Sequence, residues 1–241
     1  MTFKKIKDFF VKYFFNPKWR CNSCGKEIFE GEYFCDSCLR NLPYNDKVFC
    51  NHCGRKLKVY AEYCSTCREE LLSVDKARSV FDYDKPISSL IKRAKYDKRL
   101  YLLDMFAEYL SNLYLKSYFN ADYICFVPMT EKAKKKRGYN QGELLAKKVG
   151  ERVNVKVLEV IEKVNETTRQ AKLNREQRLK NLEGVFRIKS RKLVRDKTIV
   201  IIDDVSTTGA TAENIARKLK SAGAKTVYLL TIASVAPKIG Y

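Results

Sequence analysis

Hydrophobic and polar positions alternate along this chain in blocks that predict a mixed α/β domain behind a basic, amphipathic and then cysteine-rich start. Phe3, Ile6, Phe10, Tyr13 and Phe14 recur at helical spacing with Lys4, Lys5, Lys7 and Lys12 between them, which predicts a short basic amphipathic helix over residues 1–17. Its aromatic face suits either a neighbouring domain or a membrane surface. Residues 69–80 carry no clear period and read as a connector. Ile87, Leu90 and Ile91 predict a helix within 84–93, and Leu103, Phe106, Ala107, Leu110, Leu113 and Tyr114 predict a longer one within 100–119. Tyr123 to Val127 reads as a buried strand ended by Pro128, with Cys125 a core thiol. A helix is expected over about 142–152 and a strand over 157–163. Ile199 to Ile202 is an unbroken β-branched run, as in a strand buried on both faces. Ala212 to Lys220 is helical, and Thr226 to Ser234 is a last apolar strand. Strands alternating with helices give a parallel α/β sheet. The expected divisions are the N-terminal helix at 1–17, a cysteine-rich module at 18–72 and the α/β domain at 73–241.

The cysteines change the picture of the first part. Cys21, Cys24, Cys35 and Cys38 map onto Cys50, Cys53, Cys64 and Cys67 with an offset of 29 residues, and Asn22 and Gly25 map onto Asn51 and Gly54. Each C-x-x-C turn offers two thiolates from one knuckle, and four thiolates make a tetrahedral zinc site. Two structural zinc sites follow, paired either within each repeat or interleaved between them. Units this short need metal to fold. His52, the single histidine, lies inside a knuckle and is read as exposed and not a ligand. Paired thiols favour metal in a reducing compartment over disulfides, which places the protein in the cytoplasm.

Charge adds a partner class. Lys and Arg number 48 against 28 Asp and Glu, a formal net charge of +20. Residues 131–156 hold nine basic and three acidic side chains, and residues 163–197 hold twelve and four. A polyanion is implied, either nucleic acid or an anionic membrane surface, though a Lys-rich solvated surface gives the same count.

The chemistry concentrates in Asp203-Asp204-Val205-Ser206-Thr207-Thr208-Gly209-Ala210-Thr211. Two carboxylates come where the buried strand is expected to end, then a small hydroxyl-rich loop, then a helix N-terminus. Free N–H groups and the positive end of a helix favour a phosphate in such a loop, and Gly209 admits close backbone approach. Adjacent carboxylates accept hydrogen bonds from a vicinal diol. A ribose bearing a 5-phosphate fits both halves, whereas an ordinary strand-turn-helix with an acidic turn is the plainer alternative. No Walker A or dinucleotide-loop pattern is present.

This stretch resembles the signature that binds 5-phosphoribosyl-1-pyrophosphate (PRPP) in type I phosphoribosyltransferases. The wider order of motifs is similar to the ComF family, of the ComFC type: paired C-x-x-C modules, Leu90-Ile-Lys-Arg-Ala-Lys95-Tyr96, Arg137-Gly-Tyr-Asn-Gln141, Thr168-Arg169-Gln170 through Arg178 and Asn181, then the acidic pair and loop. The resemblance implies a double zinc ribbon fused to a parallel-sheet phosphoribosyltransferase-like domain. It implies Mg²⁺ with PRPP, and a role with incoming single-stranded DNA in natural transformation, beside a DNA-translocating helicase of the same system. Asp203 and Asp204 would hold the ribose hydroxyls, Ser206 to Thr211 the 5′-phosphate, and Pro128, Met129 and Thr130 the pyrophosphate. A flap over 168–178 would take the place of a mobile catalytic loop. Lys95, Arg137, Arg169 and Arg175 are nominated to stabilise departing pyrophosphate. Asp203, Asp204, Arg137 and Arg169 are the candidate catalytic set. No acceptor pocket is legible, so DNA handling and active phosphoribosyl transfer are the two expectations.

Overall fold

A computed structural model describes residues 19–29, 32–70, 72–97, 99–165, 177, 181–182 and 184–236. The expected N-terminal helix, most of the 168–178 flap, and Arg169 and Arg175 lie outside the described residues. By internal contacts the chain divides into two compact units, Met1–Leu42 and Pro43–Tyr241.

The first unit is one cysteine ribbon. Cys21 N–H donates to the Lys26 carbonyl at 2.7 Å and Gly25 N–H to the Cys21 carbonyl at 2.9 Å, closing the knuckle. A short helix, α1 (Asp36–Arg40), follows the second cysteine pair's first member. The second ribbon repeats this in the other unit. Cys50 N–H reaches the Arg55 carbonyl and Gly54 N–H the Cys50 carbonyl, both at 2.9 Å, before α2 (Ser65–Glu69). Both knuckles turn on a left-handed glycine, Gly25 at φ 78° and Gly54 at φ 66°.

The second unit is built on four parallel strands in the order β1-β6-β5-β2: β1 (Lys76–Asp82), β2 (Tyr123–Phe126), β5 (Thr198–Ser206) and β6 (Thr226–Ser234). Helices α3 (Ile87–Tyr96) and α4 (Tyr101–Lys116) follow β1, and α5 (Glu131–Arg137) and α6 (Gln141–Val153) follow β2. A separate antiparallel pair, β3 (Ile161–Lys163) and β4 (Phe186–Ile188), precedes β5, and α7 (Ala210–Ser221) joins β5 to β6. Ile199 to Ile202 are at most 1% exposed, because α7 with β4 covers one face of the sheet and α4 with α6 the other. That double cover is what an unbroken β-branched run requires.

Three sequence expectations need correction. Residues 76–80, read as part of a connector, belong to β1, which runs on to Asp82. Its alternation of buried Ala77, Ser79 and Phe81 with partly exposed Lys76, Arg78, Val80 and Asp82 is that of an edge strand, masked by its charged side. β5 continues through Ser206, so the acidic pair lies inside the strand rather than beyond its end. The 157–163 strand shrinks to 161–163, Val157 making only an isolated bridge to Ile124. Among the described residues no helix is long and apolar enough to cross a membrane.

Candidate functional site

The loop after β5 is short. α7 starts at Ala210, so only Thr207 to Gly209 separate strand from helix, and Gly209 takes φ 78° to turn the chain. The N-cap of α7, Gly209, has no side chain to cap it. Thr208 Oγ1 accepts from Ala210 N–H at 3.4 Å. Val205 to Ala212 line a cavity of about 20 Å³ at the start of α7, and a helix N-terminus favours an anion beside it.

The acidic pair is electrostatically loaded. Asp203 Oδ1 accepts from the Asp204 N–H at 2.8 Å, and Lys95 Nζ meets Asp204 Oδ2 at 2.5 Å. Burial pushes the Asp203 carboxyl up to about 7, with the neighbouring Asp204 charge adding to the rise and Lys95 opposing it. Burial works to lower Lys95, but the charges of Asp204 and Asp203 outweigh it and hold the ammonium above its ordinary value. One cation thus serves two close carboxylates, an arrangement that suits a second positive group, such as a hard cation taking oxygen donors.

The opposite wall comes from distant sequence. Lys95 lies in the last turn of α3, and the Tyr139 hydroxyl donates to the Ala94 carbonyl at 2.8 Å, tying the Arg137–Gln141 motif to it. Arg137, the last residue of α5, stacks over Tyr96 at 5.6 Å and reaches Met129 Sδ at 3.9 Å. Gly138 at φ 89° ends α5, and Asn140 caps α6 by accepting from Gly142 N–H at 2.9 Å. Thr130 Oγ1 caps α5 from Ala133 N–H at 3.2 Å. Lys95, Tyr96, Met129 and Arg137 are so brought into one neighbourhood, with Lys95 touching the acidic pair. Tyr139 holds that wall in place, a role that its motif did not reveal. Cys125 is buried, and burial pushes its thiol up, as for a core residue.

The eight repeat cysteines form two groups, Cys21-Cys24-Cys35-Cys38 and Cys50-Cys53-Cys64-Cys67, each with its sulfurs within 4.8 Å of one another. Pairing is within each repeat, not interleaved. Tetrahedral zinc with bonds of about 2.3 Å sets sulfur–sulfur edges near 3.8 Å. Cys24 to Cys35 is 3.8 Å and Cys53 to Cys64 is 3.7 Å, so both clusters fit zinc ribbon sites. Burial alone would raise Cys21, yet N–H donors from Cys24, Cys35 and Ser23 bring it down to about 6, toward the thiolate that metal needs. His52 is half-buried rather than exposed, and its Nε2 pairs with the Val74 carbonyl instead of joining the cluster.

A zinc-ribbon pair and a parallel sheet carrying an acidic pair and a short hydroxyl-rich loop define a class: metal-ribbon proteins with a phosphoribosyltransferase-type domain. Comparison agrees, with residues 10–68 matching the double zinc ribbon domain and residues 135–238 the phosphoribosyl transferase domain. The chain belongs to the ComF family. It is 35% identical over 150 residues to competence protein ComFC of Streptococcus pneumoniae, covering 62% of this chain and 64% of that protein. It is 32% identical over 159 residues to DNA utilization protein YhgH of Escherichia coli O6:H1, 62% of this chain and 67% of the relative. Competence protein F of Haemophilus influenzae is 28% identical over 225 residues, 88% of this chain and 83% of the relative.

Proposed function

We propose that this protein handles incoming single-stranded DNA in the cytoplasm during natural transformation, with a PRPP·Mg²⁺ site at the carboxyl end of β5. The observation that carries the site is the acidic pair next to Lys95 and directly before the loop that opens α7. In this reading Asp203 and Asp204 accept from the ribose hydroxyls, and Ser206 to Thr211 hold the 5′-phosphate. Pro128 to Thr130, with Arg137 behind them, face the pyrophosphate. Mg²⁺, sharing the carboxylates with the ligand's own oxygens, supplies neutralising charge. Calorimetric titration of PRPP with Mg²⁺ tests it. Heat of binding is expected with wild type and none with Asp203→Asn/Asp204→Asn; absence in both removes the site.

Support for DNA comes from the names of the relatives and from a cleft of about 540 Å³ beside β1. Tyr44, Phe49 and Tyr118 line it with Lys76, Arg78 and Lys116. Arg78 stacks on Phe49 at 4.8 Å, and Tyr118 stands 92% exposed at a left-handed φ of 54°. Aromatic faces among cations suit stacked bases and a phosphate backbone. A DNA-translocating helicase is the partner in this reading. A second reading, phosphoribosyl transfer to an acceptor, draws on Lys95 and Arg137 flanking the pyrophosphate side. It requires PRPP-dependent pyrophosphate release that Asp204→Asn abolishes; no release across an acceptor panel ends it.

A further inference from the structure

The second cysteine ribbon and the phosphate loop are joined by a short chain of buried contacts. The His52 carbonyl, inside the knuckle, accepts from Ala77 N–H at 2.6 Å, and the His52 ring pairs with the Val74 carbonyl. Asn45 Nδ2 donates to the Gly54 carbonyl at 2.6 Å. The ribbon is thus stitched to the segment that enters β1. That segment in turn holds α7. Ser73 N–H donates to both carboxylate oxygens of Glu213 at 3.0 and 2.9 Å, and Val74 N–H to one of them at 3.4 Å. Glu213 is 4% exposed and lies in the first turn of α7, the helix that presents the loop.

The two sides meet across a cavity of about 30 Å³, with His52, Cys53 and Arg55 on one wall and Ser206, Gly209 and Glu213 on the other. Arg55 is 7% exposed, and among the described residues its Nε has no hydrogen-bond partner. That guanidinium lines the same cavity as Cys53, Ser206 and Gly209, and a buried charge there calls for an anionic neighbour.

We infer that the second cluster is a positioning support for the phosphate loop. Metal on Cys50, Cys53, Cys64 and Cys67 and an anion on Ser206–Thr211 stabilise each other through Ser73, Val74 and Glu213. The anion half rests on the loop's proposed role as a phosphate site. The physical reason is that a ribbon this small holds its shape through its metal. Without it, residues 73–74 lose their anchor, and the carboxylate that fixes the first turn of α7 loses its donors. Coupling of this sort is reciprocal: whatever metal does for anion affinity, the anion does for metal retention.

The test uses the full chain carrying Cys24→Ser, so that metal release reports the second cluster. Release to a chromogenic chelator is followed with and without ribose 5-phosphate, on samples whose saturation is measured by calorimetry. Saturating ribose 5-phosphate is expected to slow release and, in equilibrium competition with the same chelator, to tighten metal binding about fivefold, the lower end of common couplings. Glu213→Gln, added to that background, is expected to speed release without ligand and to abolish the slowing. Equal rates with and without bound ligand overturn the inference. If calorimetry detects no binding, the phosphate-site reading falls by itself, and unchanged release in Glu213→Gln then overturns the coupling as well.

Discussion

Burial, with the Asp204 charge beside it, holds the Asp203 carboxyl above the usual carboxylate range, and the sign of its effect on stability follows. Its folded value, about 7, lies above the ordinary 3.8. The folded protein therefore binds this proton more tightly than the unfolded chain. The stability it contributes is complete below about pH 4 and is lost as pH rises through about 7. Asp203→Asn, which keeps an acceptor for Asp204 N–H, is expected to melt higher than wild type at pH 8.5, with the gap narrowing toward pH 5.5. Thermal melts across that range check it; equal melting temperatures at pH 8.5 contradict it. The expectation also separates roles, since the same substitution is expected to lose PRPP binding. A second residue-scale contrast lies in the two knuckles. A Cβ on Gly54 would sit 2.3 Å from the Ala77 carbonyl oxygen, whereas a Cβ on Gly25 meets nothing within 4 Å. Both glycines are left-handed, so each alanine costs about 1–2 kcal/mol in backbone strain. Gly54→Ala adds a clash with backbone that cannot yield. It is expected to cost several-fold more than Gly25→Ala in denaturant midpoint, and similar midpoints would show that the ribbon shifts freely against β1.

At the scale of elements, legibility followed physical redundancy. β5, β6, α4 and α7 were plain in the sequence because burial on both sheet faces, or along one helix face, repeats the same demand over many positions. The junction at Ser206–Ala210 was legible for a related reason: a tight strand-to-helix turn needs small residues and a glycine, and Gly209 takes the left-handed φ there. β1 was hidden because one of its sides faces a basic cleft, so Lys76 and Arg78 break the apolar run. α5 was hidden because Glu131–Arg137 is almost wholly charged and is held by its ends, Thr130 and Gly138, not by an apolar face. Glu213 and Arg55 gave no local signal, since their partners lie far along the chain; a lone acid in a helix's first turn reads as a dipole partner. The ribbons, identical in pattern, differ in setting. Cys50→Ser and Cys21→Ser are each expected to lose one of two metals. Cys50→Ser is also expected to lower the melting temperature of the Pro43–Tyr241 unit, which contains the second ribbon, while Cys21→Ser leaves it in place. Metal analysis paired with calorimetric melting decides this; equal loss of stability in both variants would show that the ribbons are interchangeable.

For the molecule as a whole, a net charge of +20 has two physical meanings that salt can separate. Diffuse positive charge attracts any polyanion weakly, and no single site dominates. A built groove neutralises a definite number of phosphates, so the logarithm of affinity falls linearly with the logarithm of salt, by about 0.7 per phosphate contacted on a single strand. In the proposed reading, the cleft beside β1 is that groove. Lys76 lies over the Phe119 ring at 5.7 Å, which itself stacks on Tyr228 at 4.4 Å, and Lys116 ends α4 on the same cleft. Lys76→Gln/Lys116→Gln removes 2 of the 48 basic residues, a small change in the overall field. If each lysine contacts one phosphate, the salt slope for a labelled single-stranded oligonucleotide is expected to fall by about 1.4. Affinity at low salt is expected to drop with it, while calorimetric PRPP binding stays unchanged. Fluorescence anisotropy over a range of salt concentrations measures the slope. A slope that does not move would mean that the bound strand runs elsewhere on the basic surface, and that the aromatic residues around this cleft serve packing alone.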